Sequence, residues 1–139
     1  MELLDFQEQW KQLVDKAVSD FNALSKDERV WFTIEALIGD VDNGGIISHY
    51  YNNGATYNAE TIEDLESLGF PDLSTLLKRI NNYFPKGIVP ADIDERNDII
   101  ETFSVEEFDV LLSEFDNIFY DREEALEKRL VEHILTTLA

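Results

Sequence analysis

Cysteine is absent from the 139-residue chain. It can therefore form no disulfide framework, no thiolate metal site and no cysteine nucleophile, and a reducing compartment suits it. Long apolar runs are missing too, since no stretch approaches the roughly 20 residues that span a bilayer. The start, Met1-Glu-Leu-Leu-Asp5, soon becomes amphipathic and charged and lacks the basic opening and unbroken apolar run of a signal peptide. These absences lead to the expectation of a soluble, cytoplasmic protein with no membrane partner. Histidine is scarce: His49 and His133 lie far apart, neither stands in an H-E-x-x-H spacing, and neither has a Glu three residues before it. There is no P-loop, no G-x-G-x-x-G and no G-x-S-x-G. The run Asp40-Val-Asp42-Asn-Gly-Gly45 fits an EF-hand loop at positions 1, 3 and 6, but Gly44 and Tyr51 stand where ligands 5 and 12 are needed. Paired carboxylates such as Glu106 and Glu107 abound, and on a solvated face abundance alone carries no acid–base chemistry. The expectation is neither an enzyme nor a metal or cofactor site.

Positive charge is also in short supply. Eleven Lys and Arg face 30 Asp and Glu, a formal net charge of −19. A folded body with that imbalance repels nucleic acid and anionic membranes and attracts basic partners at long range. A hydrophobic fraction of 44% with 12% aromatics is too rich for a disordered acidic tail, so the chain should fold.

The apolar residues recur at helical spacing. Leu3, Phe6, Trp10, Leu13, Val14, Ala17, Val18 and Phe21 predict one helix over about 2–23. Ser25 and Glu28 make a capping box ahead of Val30, Trp31, Ile34, Leu37, Ile38 and Val41. The Asn43-Gly44-Gly45 break ends that helix, and a short one with Ile46, Ile47, Tyr50 and Tyr51 follows, stopped by Asn52-Asn53-Gly54. Ile62, Leu65 and Leu68 belong to a helix closed by Gly69 as its C′ residue. Asp72 is the expected N-cap of the next, which Pro85 ends. Asp92 caps a helix with Ile93, Ile99 and Ile100, and Ser104 with Glu107 makes a second capping box before Phe108, Leu111, Leu112, Phe115, Ile118 and Phe119. A last helix is predicted from near Arg122 to Leu138. No segment alternates with period two and no repeat or long linker divides the chain, so residues 1–139 are expected to form a single compact all-α domain of about seven or eight helices.

The charge is uneven along this chain. Residues 92–127 hold fourteen acids against only Arg96 and Arg122. From this block Asp92, Asp94, Glu95, Asp98, Glu101, Glu106, Glu107, Asp109, Glu114, Asp116, Glu123 and Glu124 are the candidate contacts for a basic partner, with Glu60, Glu63, Asp64 and Glu66 as a second patch. The competing reading is a solvated surface that keeps the protein soluble. Residues 43–59 carry no formal charge but include His49, Tyr50, Tyr51, Asn52, Asn53, Tyr57 and Asn58, which could line a pocket or simply cap helices and fill a core edge. Lys78, Arg79 and Lys86 form a small basic patch expected to pair with acidic neighbours.

Around Asn43-Gly44-Gly45, Ile46, Ser48-His49, Tyr50-Tyr51 and Asn52 the sequence resembles a bacterial domain-of-unknown-function family that includes a DNA-mimic protein. Leu65-Glu-Ser-Leu-Gly69 is similar to the motif that follows in that family, and the likeness runs over about 25–138. His49 stands where the family commonly has Gln. The resemblance implies an all-helical acidic protein and, for the mimic member, occupation of the DNA-binding surface of a regulator. Asn43, Gly44, Gly45, Tyr50 and Asn52 are read as structural, turning the chain between packed helices. Three functions remain open: a non-enzymatic DNA mimic on a DNA-binding protein, an immunity-type inhibitor of a basic toxin such as a nuclease, and a small ligand-binding protein or hydrolase using the neutral island around His49. None of the three binds nucleic acid itself through the acidic block.

Overall fold

The structure, a computed structural model, describes residues 1–103 and 105–138, Val105 by its backbone alone. Among the described residues there are seven α-helices and no strand: α1 (Gln7–Ser19), α2 (Lys26–Asp42), α3 (Ile46–Tyr51), α4 (Asn58–Ser67), α5 (Pro71–Asn81), α6 (Ile93–Ile100) and α7 (Val105–Thr137). Among the described residues no helix is long and apolar enough to cross a membrane. One connected apolar core runs from Phe6 to Ile134, and α2 sits at its middle, packed against α1, α3, α4 and α7. The α2 stripe of Val30, Trp31, Ile34, Leu37, Ile38 and Val41 is entirely buried. Its start follows the local code: Ser25 Oγ accepts the Glu28 N–H (3.1 Å) and Glu28 accepts the Ser25 N–H (2.9 Å), so two donors left over by the first turn are satisfied. Gly69 closes α4 at φ +92°, where the Phe70 N–H reaches the Leu65 carbonyl and the Gly69 N–H the Glu66 carbonyl, a Schellman motif.

Three expectations need correction. The first apolar stripe is not one helix. A 3-10 turn over Leu3–Phe6 precedes α1, and Asp20, in extended backbone, ends α1 and uses its side chain to accept the Asn22 N–H of a second turn at Phe21–Ala23. A short polar side chain that bonds its own backbone competes with the helix, and Val18, part of the expected stripe, stays 79% exposed. At α5, Pro71 takes the first helical position after Phe70, so Asp72 lies inside the first turn and pairs with Arg122 at 3.0 Å. At the other end of the chain α7 is one 33-residue helix rather than two. Tyr120-Asp-Arg-Glu-Glu-Ala125 interrupts the apolar spacing but contains neither Gly nor Pro, and Leu126, Leu130, Val131 and Ile134 resume the buried stripe begun by Phe108, Leu111, Leu112, Phe115 and Phe119. The expected Ser104–Glu107 capping box lies outside the described residues.

Candidate functional site

Helix α6 begins with Asp92 as N-cap, its side chain accepting the Asp94 N–H, and the acids of its first turn suit the positive end of the helix dipole. Asp94, Asp98 and Glu101 then recur at spacings of four and three, which places them on one stripe, and they are exposed, as are Asp92 and Glu95. At about 1.5 Å rise per residue this stripe offers one carboxylate per roughly 5 Å, against one phosphate per roughly 3.4 Å along a DNA strand. Glu106, Glu107 and Asp109 are exposed on the first turns of α7, beside Val110, whose side chain also faces water. Among the described residues none of these eight acids forms an ion pair with a Lys or Arg.

The single base in the α6 run is spent inward. Arg96 is wholly buried, and its guanidinium donates to four backbone carbonyls: Nε to Tyr50 (2.9 Å), Nη1 to Pro90 (2.9 Å) and Ala91 (3.2 Å), and Nη2 to Asn52 (2.7 Å). Five donors in a planar fork suit this task. It ties the end of α3 to the start of α6 and leaves the outer face of α6 without a cation.

The remaining candidates are placed differently. Glu114 pairs with Arg79 (3.3 Å) and Glu124 with Lys128 (3.1 Å). Asp116 is half-buried and accepts the Ile46 N–H at 2.7 Å, capping α3 from across the molecule, while burial raises its pKa. Gly45, at φ +85°, makes that contact possible because a Cβ there would stand 2.6 Å from Asp116 Oδ2. In the second patch Arg29 grips Asp64 (2.7 Å) and Glu63 (3.1 Å), and the buried Asp64 also accepts from Thr33. Lys78 pairs with Glu66 at 2.8 Å.

The neutral island folds into a buried polar chain. Tyr50 Oη donates to Asn81 Oδ1 (2.6 Å), Asn81 Nδ2 to Asn58 Oδ1 (2.5 Å), and Asn58 Nδ2 lies 3.1 Å from His49 Nε2. Burial pushes the Tyr50 hydroxyl pKa up. With Nε2 accepting, a neutral His49 carries its proton on Nδ1. That atom faces Asp40 Oδ2 at 3.6 Å, beyond hydrogen-bond reach, and has no other partner. Asp40 Oδ1 accepts from Asn52 Nδ2 at 3.1 Å. Asp40 in turn borders an open groove of about 830 Å³ between α1, α2 and the 3-10 turn Asn53–Tyr57, lined also by Trp10, Phe32, Glu35, Gly39 and Tyr57.

A second grouping forms where the end of α2 meets α7. Asp42, Glu123 and Glu127 each bring an oxygen within 4.8 Å of the others, a spacing at which three carboxylates repel or could hold one cation. Burial and the neighbouring Asp42 push Glu123 up to about 7, and burial and Asp42 raise Glu127. Glu35, which accepts from the Trp31 indole at 3.3 Å, is likewise pushed up to about 7, by burial first and by Glu127 second. Glu35 and Glu123 therefore keep protons near neutral pH.

The sequence pattern of the DMP19-like protein family matches residues 22–137. No curated protein and no solved structure matches the chain.

Proposed function

Because this chain belongs to the DMP19-like protein family, we propose that it is a non-enzymatic binding protein whose carboxylates imitate DNA phosphates on a basic, DNA-binding partner. The surface assigned to that task is the outer face of α6 with the first turns of α7. What supports the reading is the fate of Arg96: the one cation in a run of acids is buried on backbone carbonyls, so the exposed side of α6 is anionic without relief. Like charges at spacings of three and four repel, and a helix that keeps them unpaired gives up a little stability. A basic surface recovers that cost and gains the attraction, and its approach is steered at long range. Glu114, Asp116, Glu123 and Glu124 take a lesser part, since each is paired, capping or crowded within the molecule.

The test is a variant carrying Asp94→Asn, Asp98→Asn and Glu101→Gln, compared with one carrying Asp72→Asn, Glu66→Gln and Glu124→Gln, which removes the same number of charges from acids that are already paired. The first should slow association with a basic protein captured from the native lysate and flatten its salt dependence. The second should change neither. Equal effects from the two would show that only net charge matters and would defeat the assignment to α6.

A further inference from the structure

We propose that the groove between α1 and α2 is a guanidinium site that takes an arginine side chain of the basic partner between aromatic rings and the Asp40 carboxylate. Its wall is aromatic. The Phe32 ring lies 6.0 Å from Trp10 at 28° and 6.3 Å from Tyr57 nearly edge-on, and all three rings are half-buried with surface left on the groove. Its acids are Asp40 and Glu35, and among the described residues no Lys or Arg lines it. Aromatic faces next to a carboxylate are the complement of a planar, weakly hydrated cation that both stacks and donates paired hydrogen bonds. An ammonium would meet the charge and miss the stacking.

The carboxylate is oriented from behind. Asn52 donates to Asp40 Oδ1, and His49, 2% exposed, directs its unpartnered Nδ1 at Oδ2 from 3.6 Å. Because the Tyr50–Asn81–Asn58 chain occupies Nε2, this is the face on which a neutral His49 holds its proton. Asn52 thus fixes the acid, His49 backs it without a hydrogen bond, and among the described residues the Asp40 oxygens accept no other hydrogen bond. Two glycines keep the space open. A Cβ on Gly54 would stand 2.8 Å from Asp40 Oδ2 and 3.2 Å from His49 Nδ1. Gly39 sits inside helix α2, where glycine costs stability, yet a Cβ there would meet nothing within 4 Å. Its absence leaves the groove unfilled.

The groove adjoins the acidic face. Thr56, on the groove wall, donates to the Ala91 carbonyl (3.0 Å) immediately before the α6 cap Asp92, and Arg96 holds the Asn52 carbonyl beside it. One basic partner can therefore lie along α6 and insert an arginine into the groove. The proposal rests on the partner being basic and does not need that partner to bind DNA.

The experiment uses the full chain and two blocked pentapeptides, acetyl-Gly-Ser-Arg-Ser-Gly-amide and its citrulline counterpart, which has nearly the same shape without the charge. Binding is followed by calorimetry and by the fluorescence of Trp10, which lines the groove. The arginine peptide should bind at least about tenfold tighter than the citrulline one, as expected for charge-assisted hydrogen bonds. Asp40→Asn should erase that ratio, and Gly39→Leu, whose Cβ would meet nothing within 4 Å, should block both peptides while the protein melts no lower than the parent. The triple variant at Asp94, Asp98 and Glu101 should keep the ratio. Failure of arginine to outbind citrulline, or an unchanged ratio in Asp40→Asn, overturns the groove while leaving the α6 reading standing. Loss of the ratio in the α6 variant, with Asp40→Asn intact, would assign the peptide to the acidic face and overturn the groove equally.

Discussion

On α6 Asp94, Asp98 and Glu101 stand in water with no ion-pair partner among the described residues, whereas at the crossing of α2 and α7 Asp42, Glu123 and Glu127 are pressed together, the two glutamates half-buried. Both regions are anionic, and their physics differs. Exposed carboxylates are screened by water and salt, so they cost little and keep their charge for a partner. The crowded ones lose hydration and repel, so Glu123 is pushed up to about 7 and the fold is best served when a proton remains there. A net charge of −19 is therefore no measure of binding surface, because part of it is pressed into the fold and taxes it.

The strongest way to break this contrast is to remove the cation that permits it. Arg96→Leu would leave four backbone carbonyls without their shared donor inside the protein, and it should cost roughly 3 kcal/mol or more, seen as the steepest loss in urea or thermal unfolding. An unchanged melting temperature would mean that the α6 face does not depend on Arg96. Gly45→Val comes next. It combines a φ of +85° with a Cβ at 2.6 Å from Asp116 and should cost about 1–3 kcal/mol, while Asp116→Ala should lose the same α3 cap.

The two acidic regions then part company in their response to pH. Glu35 and Glu123 have folded-state pKa values near 7, above the 4.5 of an ordinary Glu. Between about pH 5 and 7 the folded state thus binds more protons than the unfolded chain, so stability falls as pH rises through that interval. Melting temperatures should be higher at pH 5.5 than at pH 8, and Glu123→Gln should raise stability at pH 8 by on the order of 1 kcal/mol with a smaller gain at pH 5.5. A flat profile would remove the distinction between the crossing and α6. The smallest effect belongs to α6 itself, where Asp94→Asn with Asp98→Asn and Glu101→Gln should move stability by no more than about 0.5 kcal/mol, measured by denaturant titration.

Where the fold rests on near neighbours, it could be read from the chain. The Ser25–Glu28 box, the Asp92 cap, the Gly69 closure and the α2 stripe all involve partners within a few residues, and the structure places them as the spacing implies. The interior of the candidate site was not legible in that way. Arg96 reads as one more surface charge, since its acceptors on Tyr50 and Asn52 are more than forty residues away in sequence. Asp116 reads as a phosphate mimic until the Ile46 N–H, seventy residues earlier, is found on it. The groove draws on three separate segments, and its opening depends on Gly39, a residue whose contribution is the absence of a side chain. The split of α7 shows the opposite failure: a polar stretch interrupted the stripe, although backbone propensity allowed the helix to continue.

If the exposed acids stand in for phosphates, DNA and this protein must compete for one surface of the partner. A basic partner captured by this protein would be titrated with it at several salt concentrations, in the presence and absence of duplex DNA. Binding should weaken steeply as salt rises, DNA should displace the protein from the same site, and the α6 variant should yield to DNA at lower concentrations than the parent. A complex in which the partner holds DNA and this protein together, with affinity unmoved by salt, would overturn phosphate mimicry by the α6 face.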